Sequence, residues 1–437
     1  MSEVRAGRAA RDAAVTAVRS VRTDGSSLDA ALNAATERNS LDGRDRAFAL
    51  LLAATTLRRW GSLGVLLESY LNKGWPPKSG PLREMLSVSA AQMVLLDGSP
   101  YAAIDLAVSQ IAKHRRTQPY KNMANAVLRR VAETGKDRFA DIDPVTHDVP
   151  DWLLTRWTST YGVDLARQIA RASVAEAALD ITPRDIAKKD GLAEQLGGVP
   201  VGPTSVRLST GGGPIAERHG FRDGAWWVQD AAAAIPATFI QSEPGAHVLD
   251  LCAAPGGKTL QLAARGFAVT AVDRSGSRLR RLQANLDRCQ LKAEVVDRDV
   301  LNFEPTQLAD AVLLDAPCSA TGTIRRHPEM LHNREQASVL SLVETQAKLL
   351  KRAASFVRPG GALVYCTCSL EPEEGELQVA ALLANEPKLA RMPIDPAVSG
   401  VEPSLVTPDG DLRTTPAHWS ERGGLDGFYA ARLMRLT

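Results

Sequence analysis

Residues 248–259 of this chain read VLDLCAAPGGKT, and this stretch decides the fold of its second half. The apolar run 248–251 is typical of a buried β-strand, and the Pro-Gly-Gly turn leads into a helical stretch at 260–264. Glycines in such a turn let the backbone approach a ligand, and the following helix offers free N–H groups. Cys252 stands where a P-loop needs glycine, and G-x-G-x-x-G is absent. The turn therefore predicts a nucleoside site that differs from ATP and nicotinamide sites.

Short apolar runs alternate with helical stretches from residue 224 onward. The predicted strands are 248–251, 268–272, 295–296, 311–314 and 362–365, and the predicted helices are 260–264, 278–286 and 338–356. This alternation indicates a mostly parallel, doubly wound sheet. The last apolar run, 428–436, has no crossover helix before it, so we predict that it pairs antiparallel at an edge of the sheet.

Acidic residues recur at the ends of these strands. Asp273 ends the second strand, 23 positions after Asp250, and a carboxylate there suits two ribose hydroxyls. Asp299, after the third strand, could accept a hydrogen bond from an adenine amino group. Each Asp alone is more often a loop cap, but three in register at successive strand ends favour a ligand site.

Two further motifs end predicted strands and carry cysteines. Residues 315–322 read DAPCSATG, and residues 365–369 read YCTCS. We expect Asp315, Cys318 and Cys368 to meet in the crevice where open α/β sheets bind ligands. A zinc site is the alternative, but C-x-x-C spacing and a paired histidine are missing from the sequence, so we predict no metal. Cys366 is expected to point away from Cys368 as a buried, inert thiol.

Residues 1–140 are predicted to form an all-helical bundle. Helical segments are expected at 8–22, 45–60, 82–96, 104–112 and 123–131, with Ser27 as an N-cap. This part carries 21 Lys and Arg against 13 Asp and Glu, a net charge of +8, whereas residues 141–437 carry 31 against 37, a net charge of −6. A basic domain joined to a mildly acidic one suggests a polyanion as its partner.

The stretch 111–130 holds six basic residues and no acidic one. Such a run is either a solvated helix face or a set of phosphate contacts, and both interpretations stay open. The residues that would contact RNA phosphates are Lys113, Arg115, Arg116, Lys121 and Arg129. Residues 141–223 are less regular, and the Gly- and Pro-rich part from 191 is either a linker or a small α+β subdomain.

Overall composition is that of an ordinary globular protein. The 437 residues are 44% hydrophobic and 23% charged, which predicts two or three domains. The amino terminus lacks the apolar core of a secretory signal, and the longest apolar run, 47–54, is too short for a membrane helix. Five cysteines in so long a chain do not suggest disulfides. We therefore expect a soluble, cytoplasmic protein without a membrane partner.

Four motifs together resemble one family of enzymes. LDLCAAPGGKT, DAPCSATG, YCTCS and the carboxyl-terminal DGFYAARL are similar in order and spacing to the RsmB/Sun (Fmu) branch of RNA cytosine-5 methyltransferases, and residues 228–230 (VQD) resemble its opening motif. Residues 45–48 (DRAF) and 125–130 (NAVLRR) resemble the NusB-like RNA-binding domain of the bacterial ribosomal RNA member. The resemblance implies a NusB-like domain over 1–140, a connector over 141–223 and a Rossmann-like catalytic domain over 224–437.

The resemblance also implies roles for individual residues. Cys368 would be the nucleophile that adds to carbon-6 of cytosine, Cys318 would help to release the product, and Asp315 would stabilise charge at ring nitrogen 3. S-adenosylmethionine, which becomes S-adenosylhomocysteine, would be held by Cys252, Ala253, Ala254, Pro255, Gly256, Gly257, Lys258, Asp273, Asp299 and Asp315.

Two stretches depart from the family pattern. Residues 373–376 read EEGE where an E-N-E-like run is usual, and 297–299 read DRD in place of Gly-Asp-Ala. The leading hypothesis is methylation of a cytosine in 16S ribosomal RNA, free or in a small-subunit assembly particle, by a monomer. The alternatives are the same chemistry on transfer RNA, and a ribosome-assembly factor that has lost catalysis; the retention of both Cys318 and Cys368 argues against the second.

Overall fold

The computed structural model describes residues 2–39, 41, 43–209 and 213–436. The chain divides into two compact units, one comprising Met1–Glu176 with Ile324–Arg334 and the other Ala177–Thr323 with Glu335–Thr437. The first compact unit continues through further helices beyond residue 140, as far as Glu176. Across the described ranges, every helix is too short or too polar to span a membrane.

Both units are built from regular elements in chain order. The helices are α1 (Ser2–Asp24), α2 (Leu28–Asn39), α3 (Gly43–Arg58), α4 (Trp60–Glu68), α5 (Leu82–Val94), α6 (Pro100–Lys113), α7 (Lys121–Ala140), α8 (Pro144–Asp148), α9 (Asp151–Tyr161), α10 (Val163–Ser173), α11 (Lys189–Leu196), α12 (Ala231–Thr238), α13 (Gly257–Ala264), α14 (Gly276–Cys289), α15 (Met330–Asn333), α16 (Gln336–Phe356), α17 (Glu376–Asn385) and α18 (Pro396–Ser399). The strands are β1 (Leu179–Pro183), β2 (Gly198–Val201), β3 (Ser205–Leu208), β4 (Trp226–Val228), β5 (His247–Leu251), β6 (Ala268–Asp273), β7 (Glu294–Asp297), β8 (Ala309–Asp315), β9 (Val357–Thr367), β10 (Leu389–Arg391), β11 (Leu412–Arg413) and β12 (Tyr429–Arg435).

The first unit is helical, as the sequence predicts. Its core lies between α1, α3, α5 and α7 and is made mostly of alanine, leucine and valine. Ser27 caps α2, because its Oγ accepts a hydrogen bond from N of Ala30 at 3.3 Å. The helix predicted at 45–60 is two helices in the structure, because α3 ends at Arg58 and α4 begins at Trp60. A Cβ on Gly61 would lie 1.7 Å from the carbonyl oxygen of His147, so glycine at this position lets α4 pack directly against the backbone of α8.

A short segment from late in the chain, Ile324–Arg334, also belongs to the first unit. Nε2 of His332 lies 2.9 Å from the carbonyl oxygen of Leu57, and Nδ2 of Asn333 donates to that of Ser26 at 2.8 Å. Burial lowers the pKa of His332 to about 4, so the ring is neutral at physiological pH. The segment thus completes the helical unit through buried polar contacts.

The region that could have been a linker is folded. Strands β2, β3, β1 and β4 form a four-stranded antiparallel sheet in that order, with α11 packed on β2 and β3. The guanidinium of Arg207 donates to both carboxylate oxygens of Asp180, at 2.7 and 2.8 Å, with both side chains buried. Asp180 also accepts from N of Ala231 at 3.2 Å and so connects this sheet to the start of α12.

The second sheet is mostly parallel, in the order β10-β12-β9-β8-β5-β6-β7, with β11 paired to β12. Strands β5 to β9 are parallel, and each contains its predicted apolar run. β12 pairs antiparallel, as predicted, and its partner is β9, but the predicted position at an edge of the sheet is wrong. The three-residue strand β10 pairs with the other side of β12. So short a run shows no periodicity from which a strand could be predicted.

Both faces of this sheet are covered. Val248, Leu313 and Val364 pack into the core on the side of α12 and α13, whereas Leu249 and Leu363 pack on the side of α16 and α17. The strand order reverses between β5 and β8, and open α/β sheets bind ligands at the carboxyl ends of the strands beside such a reversal. The predicted site residues follow these strands.

Candidate active site

The turn after β5 forms a close-packed cradle. Cys252 has a φ of 58° and Gly256 a φ of 105°, so the backbone is left-handed at both ends of the turn. N of Ala253 donates to the carbonyl oxygen of Val272 at 3.1 Å. A Cβ on Gly256 would lie 2.7 Å from Cγ of Leu282, so only glycine lets the turn pack this closely against α14.

Asp273 at the end of β6 is built into this cradle. Its side chain is 5% exposed, and its two carboxylate oxygens accept from N of Ala254 at 3.1 Å and N of Ser275 at 2.9 Å. Asp299 is 35% exposed and accepts from N of Leu301 at 2.9 Å, so it also caps a turn. Since each carboxylate oxygen has two acceptor sites, these bonds leave capacity for ligand hydroxyl or amino groups.

The predicted carboxylates all act electrostatically on one thiol, that of Cys252. The pKa of Cys252 is raised first by burial and then by the negative charges of Asp273, Asp315, Asp250 and Asp299. The structure therefore brings together carboxylates from the ends of β6 and β8, from within β5 and from the loop after β7. This arrangement makes the thiol of Cys252 a poor nucleophile.

Asp250 takes a larger part in this site than the sequence suggests. Burial raises its pKa to about 7. Its Oδ2 accepts from Oγ1 of Thr259 at 2.6 Å, whereas Oδ1 is buried and has no hydrogen-bond partner in the described part of the chain. A buried acceptor without a donor beside the cradle is suited to a ligand that donates hydrogen bonds.

Lys258, predicted as part of the cofactor turn, is joined by the structure to Asp315. Its Nζ donates to Oδ2 of Asp315 at 2.8 Å and lies 5.1 Å from the ring centre of Phe428. Burial alone would lower the pKa of Lys258, but attraction to Asp315, together with smaller contributions that include Asp250, raises it. The ammonium group therefore stays charged and donates a hydrogen bond to the carboxylate.

The two cysteines predicted to act together are neighbours. Cys318 follows β8 and Cys368 follows β9, and their Sγ atoms are 3.4 Å apart. Both side chains are partly accessible. The contact with Cys368 and burial raise the pKa of Cys318 well above its ordinary value. Two thiols at this separation can act on one small planar group.

Cys366 is buried as expected, but the direction predicted for it is wrong. It lies in the same apolar core against which Cys368 packs, because residues two apart in a strand share a face. Its Sγ lies 3.5 Å from Oδ1 of Asp315. Burial, followed by the charge of Asp315, raises the pKa of its thiol, so it stays protonated.

Two glycines bring the end of the chain to the cysteines. N of Gly322 donates to the carbonyl oxygen of Cys368 at 3.0 Å, and N of Gly427 donates to that of Gly322 at 2.8 Å. A Cβ on Gly322 would lie 2.0 Å from the carbonyl oxygen of Gly427, so no other residue fits at 322. This contact explains the glycine of the DGFYAARL motif.

Glu374 is a buried residue of this region that sequence reasoning missed. Its carboxylate accepts hydrogen bonds from Ser319 and Ser369, the residues that directly follow the two cysteines. The only signal in the sequence is the unusual run EEGE at 373–376, which departs from the family pattern but does not predict a site.

The predicted RNA contacts all belong to the first unit. Lys113, Arg115, Arg116, Lys121 and Arg129 are all exposed at the end of α6, in the following loop and on α7. Oγ1 of buried Thr117 donates to the carbonyl oxygen of Ile111 at 2.7 Å and fixes that loop. Their contact with phosphates stays a prediction.

Metal ligation has no obvious place in the part of the chain that the structure describes. There, no group of three or more His, Cys, Asp and Glu side chains has an arrangement that could hold an ion.

Comparisons with known proteins agree with the motifs. A family model described as 16S rRNA methyltransferase RsmB/F matches residues 237–434, and the NusB family model matches residues 8–133. The ribosomal RNA small subunit methyltransferase B of Pseudomonas putida is 32% identical over 98% of this chain and 98% of its own length. The protein of the same name from Xanthomonas campestris is 35% identical over 86% of this chain and 88% of its own.

Solved structures share the fold. The crystal structure of PH0851 matches with a TM-score of 0.73 and 24% identity, covering 98% of this chain and 99% of that one. The resemblance drawn from the motifs is thereby confirmed, as is the predicted fold class of a NusB-like helical domain and an α/β methyltransferase domain.

Proposed function

We propose that this chain, which belongs to the RsmB/F family of ribosomal RNA methyltransferases, transfers a methyl group from S-adenosylmethionine to carbon-5 of a cytosine in 16S ribosomal RNA. The observation that carries the proposal is the pair of thiols, Cys318 and Cys368, 3.4 Å apart at the ends of neighbouring strands. A single nucleophile would suffice for many acyl or methyl transfers. When a thiol first adds to a ring and is later eliminated from it, the two steps give two thiols separate tasks.

The cradle after β5 fits the cofactor. The turn from Cys252 to Lys258 would hold it, with Asp273 toward the ribose and Asp299 toward the adenine. The fit rests on the close-packed turn at Gly256 and on the buried acceptor oxygen of Asp250 that has no donor. When bound, S-adenosylmethionine supplies an electrophilic methyl group on its sulfonium.

Cys368 acts first on the cytosine. Its thiolate forms a bond to carbon-6, and the electron pair of the carbon-5–carbon-6 double bond moves toward ring nitrogen 3. Carbon-5 of the resulting adduct is then enamine-like and nucleophilic. After carbon-5 is methylated, a base removes the proton on that carbon, and the carbon-6–sulfur bond breaks to return the thiolate. Cys318 is that base or assists the elimination.

The ion pair of Lys258 and Asp315 is placed to manage charge on the ring. A proton shared between the ammonium and the carboxylate can be offered to ring nitrogen 3 as negative charge develops there. The retained charge of Lys258 supports this role, because a neutral amine would leave Asp315 without a proton donor.

The substrate is recognised through both units in this proposal. The exposed basic cluster of Lys113, Arg115, Arg116, Lys121 and Arg129 would contact phosphates of the ribosomal RNA or of a small-subunit assembly particle. We propose further that the protein acts as a monomer in the cytoplasm, where such RNA is found.

Trapping the adduct tests this function. Each variant is incubated with 16S ribosomal RNA and S-adenosylmethionine and run on a denaturing gel. Cys368→Ala should neither methylate nor trap RNA, because no bond to carbon-6 can form. Cys318→Ala should lose turnover but accumulate a protein–RNA species that survives denaturation, because elimination stalls. Cys289→Ala, which removes a buried thiol in α14, is the matched control and should behave like the unmodified chain.

Three outcomes would contradict parts of the proposal. Trapping by Cys368→Ala but not by Cys318→Ala would reverse the two roles. Normal methylation by both variants would refute covalent catalysis. Bisulfite sequencing of the ribosomal RNA identifies carbon-5 as the methylated atom, and trapping on transfer RNA alone would refute the ribosomal substrate.

A further inference from the structure

The carboxylate of Glu374 is buried where the two cysteine loops meet. Its side chain is fully buried and lies in a short turn after β9. Oε1 accepts from N of Ser319 at 2.9 Å and from Nε2 of Gln346 at 2.9 Å. Oε2 accepts from Oγ of Ser369 at 2.5 Å and also from Oγ of Ser319. One side chain therefore holds the residues that directly follow both cysteines.

The turn that carries Glu374 is itself fixed in place. The backbone carbonyl oxygen of Glu374 accepts hydrogen bonds from the hydroxyl of Tyr365 at 2.7 Å and from Oγ1 of Thr367 at 3.3 Å, both on β9. Nε2 of Gln346, on α16, also donates to the carbonyl oxygen of Pro317 in the DAPC loop at 2.9 Å. The carboxylate is thus a rigid junction between β9, α16 and the loop after β8.

A buried carboxylate is costly unless donors satisfy it, and it resists replacement by a group with fewer acceptor sites. Here four donors converge on Glu374, yet none of the steps proposed above uses its charge. We propose that Glu374 is a positioning residue, whose carboxylate locks the loops of Cys318 and Cys368 against each other so that both thiols reach one cytosine from fixed positions. This inference rests on the proposed two-cysteine function and names the group that fixes its geometry.

The charge of Glu374 has a second consequence for the thiols. The hydrogen bond with Cys368, burial and the charges of Cys368 and Glu374 together raise the pKa of Cys318. Cys318 also interacts electrostatically with Tyr365, whose own pKa is raised by burial, so that this phenol is neutral. Glu374 therefore favours the protonated form of Cys318, which leaves the role of nucleophile to Cys368. Of the two roles proposed for Cys318, the protonated form fits assistance of the elimination and not that of the base.

Three variants separate the positioning effect from a loss of folding. Glu374→Gln keeps the size but removes the charge and one acceptor. Glu374→Asp keeps the charge but draws the carboxylate back by one methylene. Glu373→Gln removes a charge from the same turn while leaving the hydrogen bonds of Glu374 intact, and it is the matched control. Cofactor affinity, measured by calorimetry, should be unchanged in all three.

Turnover on RNA is the first measurement. Displacing the thiols by about 1 Å should lower kcat about a hundredfold in Glu374→Gln and Glu374→Asp, with the KM for RNA unchanged. Glu373→Gln should keep the kcat of the unmodified chain. A kcat within about threefold of that value in both Glu374 variants would overturn the proposal.

Alkylation of Cys318 is the second measurement, and it needs no RNA. The rate of reaction with iodoacetamide is followed against pH by mass spectrometry of the Cys318 peptide, in a Cys368→Ala background. Adding Glu374→Gln should move the profile to lower pH, whereas adding Glu374→Asp should not. An unmoved profile in Glu374→Gln would overturn the proposal. If the unmodified chain methylates no cytosine, the proposed function fails while this profile can still be read.

Discussion

Replacing Asp273 by alanine should weaken the binding of S-adenosylmethionine strongly. The carboxylate is buried at the end of β6, so water does not compete well for its hydrogen bonds. It holds N of Ala254 and N of Ser275 and retains acceptor sites for two ribose hydroxyls. Removal of a charged hydrogen-bond partner costs about 1.5–3 kcal/mol, which corresponds to an increase in Kd of about tenfold to about 150-fold.

The structure favours the upper part of that range. In Asp273→Ala the amide groups of Ala254 and Ser275 lose their acceptors, so the turn that forms the cradle is loosened in addition. Asp299 provides the comparison within the same site. Its side chain is 35% exposed and its bonds compete with water, so Asp299→Ala should cost less than about 1 kcal/mol, or about fivefold in Kd.

Isothermal titration calorimetry of the three proteins with S-adenosylmethionine measures these values directly. Thermal unfolding without ligand shows whether Asp273→Ala still folds, and Asp273→Asn, which keeps one acceptor oxygen, should give an intermediate Kd. An increase below about threefold for Asp273→Ala, or a larger effect for Asp299→Ala, would refute the assignment of Asp273 to the ribose. Saturable binding of ATP by the unmodified chain would refute the cradle as a methyl-donor site.

The remaining predictions concern charge. Asp250 has a pKa of about 7 in the folded protein and near 3.8 when unfolded, so its contribution to stability is lost as pH rises between these values, by at most about 1.4 kcal/mol per pH unit. In melting curves, the stability of Asp250→Asn relative to the unmodified chain should therefore increase from pH 4 to 7 and stay constant above pH 7. Asp180→Ala removes the ion-pair partner of the buried Arg207 guanidinium and should lower the free energy of unfolding, measured in urea, by about 3–5 kcal/mol. A second change, Arg207→Leu, should recover part of this loss, and an unchanged urea midpoint in Asp180→Ala would contradict a stabilising ion pair. Reversing the charges of Arg115 and Lys121 to Glu should make the log–log salt dependence of RNA binding shallower by about two, with cofactor affinity intact; an unchanged slope would indicate a solvated face.

Those parts of the fold that follow from local patterns and a general topology rule can be predicted from the sequence. The apolar runs of β5, β6, β8 and β9 are long enough to be identified, and parallel strands place their carboxyl ends at one edge. That rule alone brought Cys318 and Cys368 to the same place, and the structure finds them in contact. The roles of the individual site residues are still predictions.

The rest depends on contacts between distant parts of the chain. The segment Ile324–Arg334 joins the helical unit through polar contacts with residues about 270 to 310 positions earlier, which no local pattern reveals. Glu374 acquires its surroundings because the loops of Ser319 and Ser369, 50 positions apart, fold onto it. Lys258 is predicted only as part of the cofactor turn, because its partner, Asp315, is 57 positions away in the sequence.

The antiparallel strand β12 has a consequence for the site that a fully parallel sheet could not provide. The carboxyl ends of parallel strands bring only the loops that follow them to the ligand edge, whereas an antiparallel strand begins at that edge. β12 pairs with β9, so the residues just before it arrive beside Cys368. There, N of Gly427 donates a hydrogen bond to the carbonyl oxygen of Gly322 at 2.8 Å, and the ring centre of Phe428 lies 5.1 Å from Nζ of Lys258. Pairing of the last strand therefore supports both the cysteine loops and the charged pair, which explains why the DGF sequence accompanies the cysteine motifs.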